Sequence, residues 1–250
     1  MLSGMDVTAY LDRIGRPEPT LRELHRAHLE TVPFENLAIH LGEPISLAPD
    51  DLFDKIVRRR RGGFCYELNG LFALLLEELG HTVDRLAARV FGGERLGPPF
   101  DHLALLVDGS HLVDVGFGDH GAYPLRWVTG IDQSDPGGVF TLTETGEGDV
   151  DVLRDGEPQY RLERRPRTLD DFTATCWYQQ TWPDSHFRKG PVCSRLTGEG
   201  RISISGRTLI VTTGGVREEA ALESDEELLT AYREHFGVSL GRVPELTSAR

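Results

Sequence analysis

The chain has 250 residues and a net charge of −13, with 40 acidic against 27 basic side chains, and 39% of it is apolar. That length suits one large domain or two to three small ones, and the charge argues against a nucleic-acid surface, which needs concentrated Lys and Arg. The longest unbroken apolar run, Leu71 to Leu76, is far too short to span a bilayer, and Met1 to Asp12 lacks the basic and apolar regions of a signal peptide. A cytoplasmic protein with no membrane contact is therefore expected. Three cysteines, Cys65, Cys176 and Cys193, form no C-x-x-C pair and read as free thiols, and no four-ligand zinc spacing appears.

In chain order, residues 6–16 and 20–30 read as short helices. Leu21, Leu24, His28 and Leu29 form one stripe, and Pro19-Thr20 suits a helix start. His25 and His28 share a helix face, as surface or core histidines far more readily than as metal ligands. Val32-Pro-Phe-Glu-Asn-Leu37 breaks the pattern at its proline, which leaves Phe34 as either core or a pocket wall. Pro49-Asp50 opens another helix through Ile56, and the basic run Arg58 to Arg61 leads into Arg61-Gly-Gly-Phe-Cys-Tyr-Glu-Leu-Asn69. Leu68, Leu71, Phe72, Leu75 and Leu79 then recur at helical spacing, with Gly80 as a stop. Cys65 falls in or just ahead of the first turn of this apolar helix. Unpaired N–H groups and the positive end of the helix dipole favour a thiolate there, and the arginines add positive potential. Gly62 and Gly63 permit a tight approach turn. On this stretch alone, a nucleophile and an inert buried thiol are both open readings.

Beyond residue 80 the period changes. Leu86 to Phe91 reads as a strand and Gly92 to Phe100 as a loop. His102 to Val107 and Leu112 to Phe117 read as strands around Asp108-Gly109-Ser110. Register decides whether His102 and Asp114 can meet. A three-residue loop pairs Val107 with His111 and Ala104 with Asp114, and puts His102 and Asp114 on one face. A two-residue loop puts them on opposite faces. Further strands at 139–144, 150–154 and 159–163 suggest an antiparallel sheet or barrel from about residue 85 to 165. Leu169 to Trp177 reads as helical or irregular. Residues 201–204 and 208–211 form a hairpin around Ser205-Gly206-Arg207. Ser224 with Glu227 forms a capping box for a helix that runs to Phe236 and stops at Gly237.

A cysteine at a helix start, a histidine at a strand start and an aspartate in an apolar segment suit a nucleophile, a base and its orienter. Asp114 would accept from Nδ1 of His102, and His102 would hold Cys65 as a thiolate. An unpaired buried aspartate would be costly, so Asp114 needs a partner; the plainer alternative is an Asp that satisfies nearby backbone N–H groups.

These pieces, together with Ser185-His-Phe187 and Cys193-Ser-Arg195, make the chain resemble the arylamine N-acetyltransferase family. The nine residues 61–69 and Asp114-Val-Gly-Phe-Gly118 carry the resemblance most specifically. It implies an α+β fold: an N-terminal helical bundle over 1–83, a central antiparallel β-barrel over 84–185 and a C-terminal α/β lid over 186–250. It also implies a cysteine-protease-like triad of Cys65, His102 and Asp114. By the same resemblance Phe34, Phe117 and Phe187 line the acceptor pocket, Gly118 contacts the acyl donor, and Cys176 and Cys193 are structural. No cofactor is held permanently. Acetyl-CoA is the implied donor and an aromatic amine or hydrazine the acceptor, by a ping-pong route through an acyl-cysteine. A neutral aryl amine is a good acceptor where an alkyl amine would be mostly protonated. Two features point instead to the amide synthase branch, which releases ansamycin-type polyketides from an acyl carrier protein. The chain ends soon after its last helix, and Asp101 stands before the histidine where many relatives have threonine, placed to repel coenzyme A phosphates. A cysteine hydrolase would need a pocket open to water or peptide, which a phenylalanine-lined site does not suit. A non-catalytic binder would be expected to have lost the triad. The oligomeric state is left open.

Overall fold

The computed structural model describes residues 4–93, 95–198 and 200–245. The N-terminal part is helical: Val7–Arg13, Leu21–Thr31, Leu37–His40, Pro49–Phe53 and Cys65–Glu78, with the last joined to its predecessor through a π-helical turn, Asp54–Arg58. The first helix is shorter than its apolar pattern predicts because Gly15 and Arg16 adopt positive φ, at 85° and 52°. Thr20 caps the second by accepting from the Glu23 N–H at 3.3 Å. Helix Cys65–Glu78 is the hub. Phe64, Leu68, Phe72 and Leu76 pack with Tyr10 and Leu24 of the preceding helices and with Leu103, Leu105 and Val113 of the barrel in one core. Each such side chain contributes about 1.5–3 kcal/mol by leaving water.

The barrel is one antiparallel sheet. Its strands run in the order Leu125–Arg126, His111–Val113, His102–Val107, Val83–Gly92, Glu157–Arg167, Val150–Arg154, Gly138–Glu144 and Asp132–Asp135. A parallel bridge between Thr129 and Leu142 brings the two ends together and nearly closes it. Phe140, Leu142, Val150, Val152, Tyr160 and Leu162 fill the interior. The hairpin takes the three-residue loop: Val107 pairs with His111, Leu106 with Leu112 and Leu105 with Val113. Asp108 and Gly109 supply positive φ, 52° and 62°, in the turn.

The predicted strand 112–117 is corrected. The ladder stops at Val113, and residues 114–119 leave the sheet as a series of bends. The strand at 159–163 extends over Glu157–Arg167, with a bulge between Leu162 and Pro166. The loop 92–100 contains a short strand, Arg95–Leu96, folded back on Phe91 and Gly92. Leu169–Phe172 is a 3-10 turn that leads into the helix Thr173–Thr181.

The C-terminal sheet is five-stranded, and its edge is the N-terminal segment Phe34–Glu35. Next come Val192–Thr197, Gly200–Ser205, Thr208–Thr213 and Val216–Ala221. Helix Asp225–Phe236 packs against it through Leu228, Tyr232 and Phe236. Its start is the expected capping box, with Ser224 and Glu227 exchanging side-chain to backbone bonds at 3.1 and 3.2 Å, and Gly237 at φ 68° ends it. Among the described residues no helix is long and apolar enough to cross a membrane.

Candidate active site

Cys65 is the first residue of its helix and is 2% exposed. The approach turn is shaped by close contacts. A Cβ at Gly62 would overlap the Pro33 carbonyl oxygen, and one at Gly63 would sit 2.7 Å from the Glu67 side chain. Glu67 caps the helix by accepting from Phe64 N–H at 3.3 Å, and it is held in turn by Lys55 Nζ at 2.7 Å. The π-helical turn carries Lys55, so a buried ion pair fixes the start of the helix that Cys65 opens.

The basic run does not serve the thiol as expected. Arg61 binds Glu35 through two bonds of 2.8 and 3.2 Å and reaches Glu43 at 3.1 Å, while Arg58 and Arg59 pair with Asp54. Burial pushes the Cys65 thiol well up, the Leu103 backbone opposes this, and the charges of Asp114 and Asp101 add to the rise.

His102, at the start of its strand, and Asp114 are both 2% exposed. His102 Nε2 meets Asp114 Oδ2 at 2.7 Å. The pair forms as the register requires, but through Nε2, where the sequence argument had assigned Nδ1. With Nε2–H donated to the carboxylate, the neutral ring keeps its lone pair on Nδ1. Burial would raise the Asp114 carboxyl, yet the charge and hydrogen bond of His102, His120 nearby and the Asn69 bond hold it well below the usual carboxylate range.

Asn69 had no role in the sequence argument. It lies one turn after Cys65, four residues on, and so faces the same side of the helix. Its amide donates to the Leu103 carbonyl at 2.6 Å and to Asp114 Oδ1 at 2.9 Å, and its oxygen accepts from Val115 N–H at 2.9 Å. These bonds replace the ladder that ends at Val113. Asp114 Oδ1 also accepts from Gly116 N–H at 3.0 Å. A Cβ at Gly116 would lie 2.7 Å from both the Cys65 Cα and the Asn69 amide nitrogen, so glycine lets this bend press on the helix start. A side-chain amide amid the apolar run Leu68–Leu76 was the available signal.

Cys65 and His102 line one cavity of about 830 Å³ together with Phe34, Phe117, Gly118 and Phe187. Phe117 stands edge-on to His102 at 5.2 Å between ring centres, and Phe34 and Phe187 lie 6.3 Å apart. Gly118 takes φ 94° with its Cα face against the Phe34 ring. Sequence reasoning missed Tyr160, whose ring lies tilted against His102 at 5.1 Å between centres, and Gln179, which binds Asp101. Cys176 and Cys193 are buried in the helical and C-terminal cores. His25 and His28 are buried too, bonded to the Ala122 carbonyl and the Tyr10 hydroxyl. Among the described residues no cluster could hold a metal ion.

Cys65 and His102 line one cavity, and Asp114 is bonded behind His102; these are the residue types that a cysteine acyl-transfer centre uses. The N-acetyltransferase family model matches residues 19–244. The arylamine N-acetyltransferase of Mycolicibacterium smegmatis is 38% identical over 256 residues, which is 95% of this chain and 93% of that protein. The solved M. smegmatis structure superposes with a TM-score of 0.87 at 37% identity, over 98% of this chain and 100% of that one. The Mycobacterium marinum arylamine N-acetyltransferase, solved in complex with CoA, gives 0.84 at 35% identity over 93% of each. The chain belongs to the arylamine N-acetyltransferase family and is an enzyme of that family.

Proposed function

We propose that the protein transfers an acetyl group from acetyl-CoA to an aromatic amine or hydrazine through an acetyl-cysteine on Cys65. The carrying observation is the buried His102–Asp114 bond of 2.7 Å at the wall of the cavity that Cys65 lines. Asp114 fixes the tautomer and steadies the imidazolium, and Nδ1 of His102 takes the thiol proton as Cys65 attacks the thioester. A thiolate–imidazolium pair offsets the burial that raises the lone thiol. The CoA thiol leaves with that proton. The amine nitrogen then attacks the acetyl-cysteine, His102 accepts its proton, and Cys65 is released as the amide departs. Phe34, Phe117 and Phe187 are the walls for the aryl ring, and Gly118 leaves room for the donor. The work is divided over units at 1–83, 84–185 and 186–250, which bring the nucleophile, the base with its aspartate, and a cover.

The similarity to enzymes named arylamine N-acetyltransferases, one solved with CoA, favours acetyl-CoA over a carrier-protein thioester. The Asp101 carboxylate, read from sequence as a bar to CoA phosphates, is engaged within the fold by Gln179 at 2.6 Å and by the Val90 backbone. Initial rates with acetyl-CoA and a neutral aryl amine varied together test the reading. Parallel double-reciprocal lines are expected. Intersecting lines would mean a ternary complex and no acyl-cysteine.

A further inference from the structure

Asp101 precedes the base, and its half-buried carboxylate ends a chain of hydrogen bonds with one consistent direction. Phe187 N–H donates to Ser185 Oγ at 3.3 Å, Ser185 O–H to Gln179 Oε1 at 2.6 Å, and Gln179 Nε2–H to Asp101 Oδ1 at 2.6 Å. Only the carboxylate end is a pure acceptor, so this orientation satisfies every member. Ser185 and Gln179 are 2% and 4% exposed, where a broken link would leave a polar group without a partner. Gly97 faces the far carboxylate oxygen, where a Cβ would overlap it. The other side of Phe187 is pinned as well, its carbonyl accepting from Asn36 Nδ2 and meeting His40 Nε2, both at 2.9 Å. The ring so placed meets Phe64, the neighbour of Cys65, edge-on at 5.3 Å.

We infer that Asp101, Gln179 and Ser185 are positioning residues: a relay that fixes Phe187 as the wall against which the aryl acceptor is selected. The inference rests on the acetyl-cysteine route proposed above, which splits the reaction into separately measurable halves. The relay acts on the second half, where the aryl ring is held, more than on the first, where the acetyl group arrives. It also acts on ring-bearing acceptors more than on a small nucleophile such as hydrazine.

The test compares wild type with Ser185→Ala in two measurements: acetylation of the full chain by acetyl-CoA, followed by intact mass, and discharge of the acetyl-enzyme by p-anisidine or by hydrazine. Ser185→Ala is expected to lose about tenfold in kcat/KM for p-anisidine, the scale of one buried hydrogen bond, and mostly in KM. Acetylation and hydrazine discharge are expected to change little, and Ser185→Thr to restore the aryl acceptor. Gln179→Ala, which cuts the chain at its uncharged middle link, is expected to match Ser185→Ala, with the double variant no worse than either, because a cut chain cannot be cut again. Should Ser185→Ala misfold, Gln179→Ala measured in the same two halves carries the same comparison. Equal losses with both acceptors, no loss at all, or additive losses would overturn the relay while leaving the acetyl-cysteine intact. A wild type that forms no acetyl-enzyme would overturn both.

Discussion

At Cys65 burial raises the thiol, and Asp114 and Asp101 add to that rise against the pull of the Leu103 backbone. On the acetyl-cysteine route proposed above, the nucleophile is made by proton transfer to His102, and its activity depends on what holds His102 in place. Asp114→Asn keeps the shape but removes the charge that steadies the imidazolium. A loss of roughly 10³–10⁴-fold in kcat is expected, by analogy with triads that lose their aspartate, with binding of the aryl amine far less affected. Steady-state kinetics on the purified variant check this; a loss under tenfold would reduce Asp114 to a backbone satisfier. Asn69→Ala removes bonds to the Leu103 carbonyl, Asp114 and Val115 at once. A stability loss of about 2–3 kcal/mol is expected, together with impaired acetylation, because the bend at 114–116 is left without its substitute ladder. Urea unfolding with activity on the same sample reads both.

The start of helix Cys65–Glu78 depends on a buried ion pair and on glycines that admit close backbone. Lys55→Met leaves the Glu67 carboxylate buried without its partner, at an expected cost of about 3–5 kcal/mol, while Lys55→Met with Glu67→Gln recovers most of it. Thermal unfolding of the single and double variants distinguishes this from a simple packing loss, in which the double would be worse. This level also separates what the sequence carried from what it did not. The helix itself was legible from Leu68, Leu71, Phe72 and Leu75, and a hairpin turn from Asp108-Gly109-Ser110, whose loop length the residues left open between two and three. The end of the next strand was not legible, because Leu112-Val-Asp-Val115 is rich in strand-forming residues and only the distant amide of Asn69 takes the chain out of the ladder. Val216–Ala221 was missed because its exposed face carries Arg217, Glu218 and Glu219 and leaves no apolar alternation to read. The nitrogen of His102 that faces Asp114 is set by ring orientation, which residue spacing does not encode.

Over the whole molecule, the site lies where the helices, the barrel and the C-terminal sheet meet, with Phe34–Glu35 lending an edge strand to Val192–Thr197. Buried histidines make the assembly sensitive to acid. Burial lowers His25, lowers His28 well below the ordinary range, and brings His120 down to about 4. A histidine lowered in the folded state stays neutral there while the unfolded chain takes up protons from about pH 6.5 downward. Stability is therefore complete above that pH and falls as pH drops toward the folded values, by about 1.4 kcal/mol per pH unit for each such histidine. Asp114, lowered as well, adds its own loss only further down, below about pH 4. Denaturant midpoints between pH 7.5 and 4.5 check the slope, and His120→Phe is expected to flatten it. Every step of the proposed transfer passes through the acetyl-cysteine. It is tested most directly by the intact mass of the protein after mixing with acetyl-CoA, beside a Cys65→Ala control, before and after adding an aryl amine. A gain of one acetyl group is expected in the wild type alone, lost when the amine is added. No gain while Cys65 still reacts with a thiol alkylator would contradict acetyl-CoA as the donor, and an unreactive Cys65 would contradict the triad itself.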